Sequence, residues 1–171
     1  MELHAGSIVL RPWREDDAPA VYAACQDPEI QHWIPLVPRP YTRDDALAFV
    51  TGEVGLGPHQ FAIVEDGHVV GSIGMVVDDG SSSGQIGYWC AAHARGRGIT
   101  SRALRRLCEH ALDELGLQRL ELSTDPDNRR SQQVAEAAGF RREGVLRSHQ
   151  PHPDGRRRDS VVYSLLPGEL R

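Results

Sequence analysis

The stretch HARGRGITSRALRRLCEHAL, residues 93–112, places two glycines and five arginines at the start of a helix. Apolar residues recur with helical spacing from Leu104 onward and predict an amphipathic helix that ends at Gly116. A glycine-rich turn that leads into a helix points several unpaired backbone N–H groups at one spot. The helix dipole adds roughly half a positive charge there. This stretch therefore predicts an anion site that suits a phosphate or a pyrophosphate.

The whole chain is acidic, with a net charge of −5 at pH 7, although no acidic residue lies between His93 and Cys108. This local positive charge indicates contact with an anionic ligand, whereas the net charge argues against a nucleic-acid partner. The 171 residues, of which 40% are hydrophobic, predict one globular domain over residues 1–171. The absence of any run of 18 apolar residues predicts no membrane span. The widely spaced Cys25, Cys90 and Cys108 indicate reduced thiols and a cytoplasmic location.

Periodicity along the chain predicts a mixture of strands and helices. Strands are expected at 7–13, 60–65, 68–77, 85–91 and 118–124, with two more after residue 140. Helices are expected from Asp16 or Asp17 to about Gln26, from Thr42 to Val50, over the opening stretch, and from Asn128 to Gly139. The proline-rich stretch 27–41 is expected to be mostly loop. The fold class is therefore α+β, with mixed α and β elements.

Three kinds of phosphate-binding loop are compared with this turn. A Walker A loop requires G-x-x-x-x-G-K-[ST], which the chain lacks. A Rossmann loop requires G-x-G-x-x-G directly after the first strand of an alternating series, but here Ser101 takes the third glycine position and the loop follows a β-meander. The third kind is the pyrophosphate-binding loop of a known enzyme family, which this segment resembles.

The segment RGRGIT resembles the acetyl-CoA pyrophosphate loop of the GNAT acetyltransferases, [QR]-x-x-G-x-[GA], with Arg95 and Gly98 in place and Thr100 instead of the usual small residue. The resemblance extends along nearly the whole chain. IGYWCAAHARGRG (86–98) is similar to the fourth strand of the family and its following loop, and PDNRRSQQVAEAAGFRREG (126–144) to a helix and strand of the ribosomal-protein N-terminal (alanine) acetyltransferase-like branch. LRPWREDDAPAVYAACQDPE (10–29) and DGRRRDSVVYSLLPGE (154–169) resemble the two ends of that branch.

The resemblance implies a GNAT fold, a twisted and mostly antiparallel central sheet with helices on both faces. Its fourth and fifth strands, here 85–91 and 118–124, are expected to splay apart and hold acetyl-CoA (coenzyme A after transfer). The pantetheine arm is expected to bond the strand edge around Trp89, Cys90 and Ala91. The pyrophosphate is expected on the loop, with forked contacts from two arginines. The implied loop residues are Arg95, Gly96, Arg97, Gly98, Ile99, Thr100 and Ser101.

The reaction implied is acetyl transfer to a primary amine, with a backbone N–H near Cys90 stabilising the oxyanion. Ser131 matches a family position whose hydroxyl donates to the leaving sulfur, and Asn128 matches one that contacts the cofactor arm. Both residues also suit an ordinary helix cap. The branch often carries glutamate where this chain has Gln85, so we expect a weakly basic acceptor that is deprotonated through water. At pH 7 an α-amine is roughly a tenth free base, whereas a lysine amine is free in about one molecule in 2,500.

The identity of the acceptor stays open at this stage. Trp33 and Tyr41 lie where the family builds its acceptor pocket, although they equally suit core positions. Three alternatives remain. The acceptor is a protein N-terminus, or it is a small amine such as an antibiotic or a polyamine, or the protein binds coenzyme A without catalysing a reaction. His149 and His152 are considered as zinc ligands, but they lack a partner cluster, so no metal is predicted. A homodimer is expected by resemblance, and no membrane partner is expected.

Overall fold

A computed structural model of the chain describes residues 1–55 and 57–171. The described strands are β1 (Leu3–Ala5), β2 (Ile8–Pro12), β3 (His59–Glu65), β4 (His68–Asp78), β5 (Ser83–Cys90), β6 (Arg119–Thr124), β7 (Arg141–Pro151) and β8 (Arg157–Leu165). The described helices are α1 (Ala18–Cys25), α2 (Pro28–Trp33), α3 (Arg43–Thr51), α4 (Ile99–Glu109) and α5 (Arg129–Ala137). Within these ranges, no helix is long and apolar enough to cross a bilayer.

The strands form one sheet in the order β1-β2-β3-β4-β5-β6-β8-β7. Every neighbouring pair is antiparallel except β5 and β6, which run parallel. The predicted turn between β3 and β4 is confirmed, because Asp66 and Gly67 both have positive φ, 49° and 79°, as a two-residue hairpin of the primed type requires. The predicted antiparallel meander of β3, β4 and β5 is confirmed as well.

Helices cover both faces of this sheet. On one face α4 and α5 bury a large core, to which Ile86, Leu104 and Tyr163 belong. On the other face α1, α2 and α3 bury a smaller cluster that includes Val21, Ala46 and Trp89. The alternation of side chains along β5 explains this division, because Ile86 and Trp89 are an odd number of residues apart and point to opposite faces. The expected architecture of a mostly antiparallel sheet with helices on both faces is confirmed.

Two elements differ from the sequence expectation. The stretch 27–41 is mostly loop, as expected, but Pro28–Trp33 within it form the short helix α2, which was not predicted. Pro28 occupies the first helical position, where its missing N–H costs nothing, and the side chain of Asp27 accepts a hydrogen bond from the N–H of Glu29 at 3.0 Å. The second difference is β1, a three-residue strand that the sequence did not predict and that pairs with β2 at the sheet edge.

Candidate active site

The sheet opens between its two parallel strands. Pairing of β5 with β6 begins at Ser83 and Arg119 and ends at Ile86 and Leu122, although both strands continue. Beyond that point β5 stays paired with β4 as far as Cys90, while β6 stays paired with β8. Each strand therefore follows its outer neighbour, and the carboxyl ends of the two parallel strands separate. The expected splay of these strands is confirmed.

The inner edge of β5 offers unpaired main-chain groups to this split. The N–H of Ala91 donates to the carbonyl of Val70 on β4 at 2.9 Å. Because main-chain groups alternate in direction along an antiparallel strand, Trp89 also bonds toward β4, whereas Tyr88 and Cys90 face the split. The edge available to a ligand is therefore formed by Tyr88 and Cys90. Trp89 and Ala91 were also expected to bond the cofactor through their main chain, but in the structure these groups face β4 instead.

The turn between β5 and α4 leaves its amides open. Gly96 and Gly98 have φ of 75° and 70°, a conformation that costs glycine little and other residues more. No side chain caps the N-terminus of α4, and the N–H of Arg102 is bonded back to Gly98 at 3.1 Å. The first-turn amides of α4, at residues 99–101, precede this bond and have no acceptor of their own within the helix. A Cβ placed on Gly96 or Gly98 would meet no described atom within 4 Å, so the space above the loop is open.

The arginine side chains of the loop are occupied by carboxylates. Arg95 pairs with Asp27 and Glu29, and its Nε donates to the carbonyl of Cys90 at 3.2 Å. Arg97 lies 2.7 Å from the carboxylate of Glu65, whose side chain is only 9% exposed and requires a counterion. Both arginines were expected to make forked contacts with a pyrophosphate, but in the structure they bind carboxylates of the protein instead. The amides and the helix dipole are therefore the groups that this loop has available for an anion.

The first turn of α5 faces β5 across the split. The Oδ1 of Asn128 accepts a hydrogen bond from the N–H of Ser131 at 3.2 Å, so Asn128 is the N-cap of the helix. The Oγ of Ser131 lies 2.9 Å from the phenolic oxygen of Tyr88. Burial raises the pKa of Tyr88 to about 12, which keeps its phenol protonated at pH 7.

Tyr88 was missed in the sequence, although a signal was present. It lies two residues after the buried Ile86 and two before Cys90, so the alternation of a strand places all three side chains on the α4–α5 face. Cys90 extends this row to the end of the strand, and burial raises the pKa of its thiol. The Tyr88 hydroxyl is therefore held beside Ser131 at the place where the strands separate.

A cleft of about 1440 Å³ passes through the split from the loop to the α1–α3 face. Among the residues expected to bind the cofactor, those that line it are Trp89, Cys90, Arg95, Gly96, Gly98, Ile99, Thr100, Ser101, Asn128 and Ser131. Ala91 and Arg97 are not among its lining residues. The volume exceeds the range of roughly 300–1,000 Å³ that is usual for one small ligand, so the cleft has room for two substrates. The open amides and the glycine turn fit the pyrophosphate of coenzyme A.

The expected acceptor residues line the cleft on the α1–α3 face. Gln85 is exposed on β5, and Trp33 is half-buried with its ring 4.3 Å from that of His32. Tyr41 is only 7% exposed and packs in the smaller core beside Cys25, and burial raises the pKa of both groups, that of Cys25 to about 11. Tyr41 therefore serves as a core residue that also contributes to the wall of the cleft.

The two histidines considered for zinc point to different partners. The Nδ1 of His149 lies 2.9 Å from the Oγ of Ser160. His152 is buried, and its Nε2 lies 2.9 Å from the carbonyl oxygen of His32. Its Nδ1 accepts a hydrogen bond from the N–H of Asp154 at 3.2 Å. Within residues 1–55 and 57–171 no group of three metal-binding side chains is present.

Comparisons with known proteins agree with this geometry. The family model described as acetyltransferase (GNAT) domain matches residues 7–141. The chain is 25% identical to the uncharacterized N-acetyltransferase p20 of Bacillus licheniformis over 98% of this chain and 97% of that protein. It is 35% identical to the putative ribosomal N-acetyltransferase YdaF of Bacillus subtilis (strain 168) over 63% of this chain and 58% of that protein. The solved structure of Mycobacterium smegmatis RimJ in complex with CoA-disulfide is similar with a TM-score of 0.83 at 30% identity, covering 99% of this chain and 87% of that one.

Proposed function

Because the chain belongs to the GNAT acetyltransferase family, it is an N-acetyltransferase, and we propose that its acceptor is a weakly basic primary amine, the α-amine of a protein N-terminus. The family uses acetyl-CoA. The similarity to the putative ribosomal N-acetyltransferase YdaF and to RimJ supports membership of the ribosomal-protein acetyltransferase-like branch. The observation that carries the proposal is the continuity of one cleft from the open amides of the loop, through the split sheet, to Gln85.

The cofactor end of this cleft is well suited to coenzyme A. Amides of Gly96, Gly98 and residues 99–101 are available to the pyrophosphate, and the unpaired edge of β5 at Tyr88 and Cys90 is available to the amides of a pantetheine arm. The carbonyl of Cys90 is already bonded to Arg95, so the N–H of Cys90 and the main chain of Tyr88 remain for the ligand.

The acceptor end supports an amine that is partly deprotonated in solution. Gln85 faces the cleft with an amide that cannot take a proton. An α-amine with a pKa near 8 is already about a tenth free base at pH 7, so catalysis of its deprotonation has to supply much less than for lysine. This end therefore favours an α-amine over a lysine side chain.

The chain's own groups then perform three tasks in the transfer. Acetyl-CoA, when bound, supplies a thioester carbonyl for the amine to attack. The N–H of Tyr88 also points into the split, two residues before that of Cys90, and is suited to stabilise the developing oxyanion. Ser131 is positioned to donate its hydroxyl hydrogen to the departing sulfur, and the Tyr88 phenol, which lies within hydrogen-bond distance of both the carbonyl and the Oγ of Ser131, holds this serine in place.

The acceptor proposal is tested by measuring coenzyme A release at pH 7 with four kinds of amine. These are α-amino peptides, lysine peptides with a blocked N-terminus, polyamines and aminoglycosides. We expect α-amino peptides to react at least tenfold faster than lysine peptides, because their free-base fractions differ by a factor of about 250. Comparable rates on both peptides contradict the proposal. Release with none of the amines would indicate a protein that binds the coenzyme without catalysis.

Removal of the Ser131 hydroxyl is expected to slow the enzyme without abolishing it. A thiol with a pKa near 8.5 leaves fairly well as thiolate, so we expect Ser131→Ala to lower kcat about tenfold with unchanged affinity for coenzyme A. Tyr88→Phe is expected to lower kcat by a smaller factor. The matched control is Tyr163→Phe, because the Tyr163 hydroxyl is also buried but bonds Glu136 at 3.0 Å away from the cleft. Equal losses in Tyr88→Phe and Tyr163→Phe contradict the role of Tyr88.

A further inference from the structure

A serine and a histidine to which the proposed mechanism gives no role meet on the acceptor side of the cleft. The Oγ of Ser160 on β8 lies 2.9 Å from Nδ1 of His149 on β7. Ser160 is 3% exposed as a residue and nevertheless lines the cleft. His149 is half-buried and does not itself line the cleft, so it reaches the cleft only through its contact with Ser160.

The position of Ser160 follows from the sheet register. The last pair between β6 and β8 joins Thr124 to Val161, so Ser160 lies just beyond it, where the split has opened. Val161 points into the α4–α5 core, and the next residue along a strand points to the opposite face. Ser160 therefore faces the α1–α3 side, as Gln85 does, which is the side that receives the acceptor.

The direction of His149 is produced by an irregularity in β7. Between Leu146, which pairs with Ser160, and Gln150, which pairs with Arg158, β7 contains three residues where β8 contains one. Ser148, within this bulge, has a φ of 51°, a left-handed conformation that few residues other than glycine adopt. Bulges of this kind redirect side chains and are frequent next to active sites. Here the bulge turns the imidazole toward Ser160.

Two groups that carry donor hydrogens approach Nδ1 of the imidazole. The side-chain amide nitrogen of Gln150 lies 3.5 Å from Nδ1 of His149, and the hydroxyl oxygen of Ser160 lies 2.9 Å from it. Both of these groups carry hydrogens that they can donate. The charged groups around the ring belong to β7 and β8. Arg157 donates to the carbonyl of His149 at 3.0 Å, and Asp159 accepts from the N–H of Ser148 at 2.8 Å. On the α2 side, Arg158 bonds Asp154 at 3.1 Å and the carbonyl of His32, so its charge is already engaged.

We propose that Ser160 and His149 together deprotonate the acceptor amine, in place of the water-mediated transfer expected from the sequence. The ammonium N–H bond breaks and its proton passes to the Oγ of Ser160, while the hydroxyl proton of Ser160 passes to Nδ1 of His149. The amine keeps the electron pair with which it attacks the thioester. The half-exposed imidazolium then loses its Nε2 proton to water, and exchange of the remaining proton from Nδ1 to Nε2 through solvent after product release restores both groups. Ser160 is the catalytic residue, and His149 acts through it. The inference rests on the proposed acceptor class.

The test compares two acceptors of different basicity at pH 6 to 9. One is an α-amino peptide, and the other is its analogue with a fluorinated amine that is already free base at pH 7. With the peptide, we expect Ser160→Ala and His149→Gln each to lower kcat/KM at pH 7 by up to about tenfold, because about a tenth of the α-amine is already free base there, and the loss to shrink as pH rises. With the fluorinated amine, both variants are expected to keep most of their activity. The double variant is expected to be no slower than either single one, because the two residues act as a unit.

Two controls separate this role from a structural one. Ser160→Thr keeps a hydroxyl and is expected to restore most of the activity lost in Ser160→Ala, whereas His68→Gln changes an exposed histidine at the β3–β4 turn and is expected to be silent. Calorimetry with coenzyme A is expected to give the same affinity in every variant. Equal losses on both acceptors, or wild-type activity in Ser160→Ala, overturn the inference. If the wild type acetylates neither amine, the proposed function has failed instead.

Discussion

Replacement of Gly98 by aspartate is expected to weaken the binding of coenzyme A about a hundredfold while the fold is retained. Gly98 is the N-cap of α4 at a φ of 70°, and aspartate tolerates this conformation and is a preferred cap. Its carboxylate would lie beside the pyrophosphate. Two like unit charges about 5 Å apart repel by roughly 3 kcal/mol at an effective dielectric constant of 20. Salt screens part of this repulsion, and the remainder corresponds to a loss of affinity of about a hundredfold.

The matched control for this charge is Gly98→Asn. Asparagine has the same shape, tolerates the same φ and caps the helix equally well, so it reproduces the loss of free amides without the negative charge. Titration calorimetry is expected to show a much smaller loss in affinity for Gly98→Asn than for Gly98→Asp. Equal affinity in the two variants would mean that no anion is bound at this turn.

The second large effect concerns stability and is expected at Gly139, which ends α5. Its φ is 100°, and a Cβ at this position would lie 2.3 Å from the carbonyl oxygen of Glu169. The C-terminal segment is docked there, because the N–H of Arg171 donates to the carbonyl of Ala138 at 3.2 Å. Gly139→Ala combines backbone strain with a clash against the main chain, and we expect it to lower the free energy of unfolding by about 3 kcal/mol or more.

Gly116→Ala is the control for strain alone. Gly116 also has a positive φ, 70°, but a Cβ there would meet no described atom within 4 Å. We expect this variant to lower the free energy of unfolding by about 1 kcal/mol, measured by urea denaturation. If both alanine variants were destabilised equally, the docked C-terminal segment would not be the cause of the loss at Gly139.

Features with a complete local signal were predictable from the sequence. The capping box of α3 is one example, in which the Oγ1 of Thr42 accepts from the N–H of Asp45 at 3.2 Å and the Oδ2 of Asp45 accepts from the N–H of Thr42 at 2.7 Å. The Asp66-Gly67 hairpin is another. The short helix α2 also had a local signal, Asp27 followed by Pro28, but the prolines further along favoured a loop. The expectation of a mostly looped stretch therefore held for 27–41 as a whole, but it missed the six residues that a cap and a first-turn proline hold in a helix.

The contacts that complete the candidate site had no such signal. Arg95 pairs with carboxylates 66 and 68 residues away, and Tyr88 meets Ser131 at a separation of 43 residues. Neither partner can be identified from spacing along the chain, because each contact is formed by the packing of distant elements. The bulge that turns His149 toward Ser160 depends on a positive φ at Ser148, and the sequence has no glycine or asparagine at that position to indicate it. For this reason the loop and Ser131 were predictable from the sequence, whereas Tyr88 and the Ser160–His149 pair were not.

The most direct test of the account is the crystal structure of this protein with coenzyme A. We expect the pyrophosphate within hydrogen-bond distance of the amides between Gly96 and Ser101, and the pantetheine arm bonded to the edge of β5 at Tyr88 and Cys90. The sulfur is expected near the Oγ of Ser131. A coenzyme bound outside the split between β5 and β6, or a pyrophosphate held by side chains elsewhere on the surface, would contradict the account.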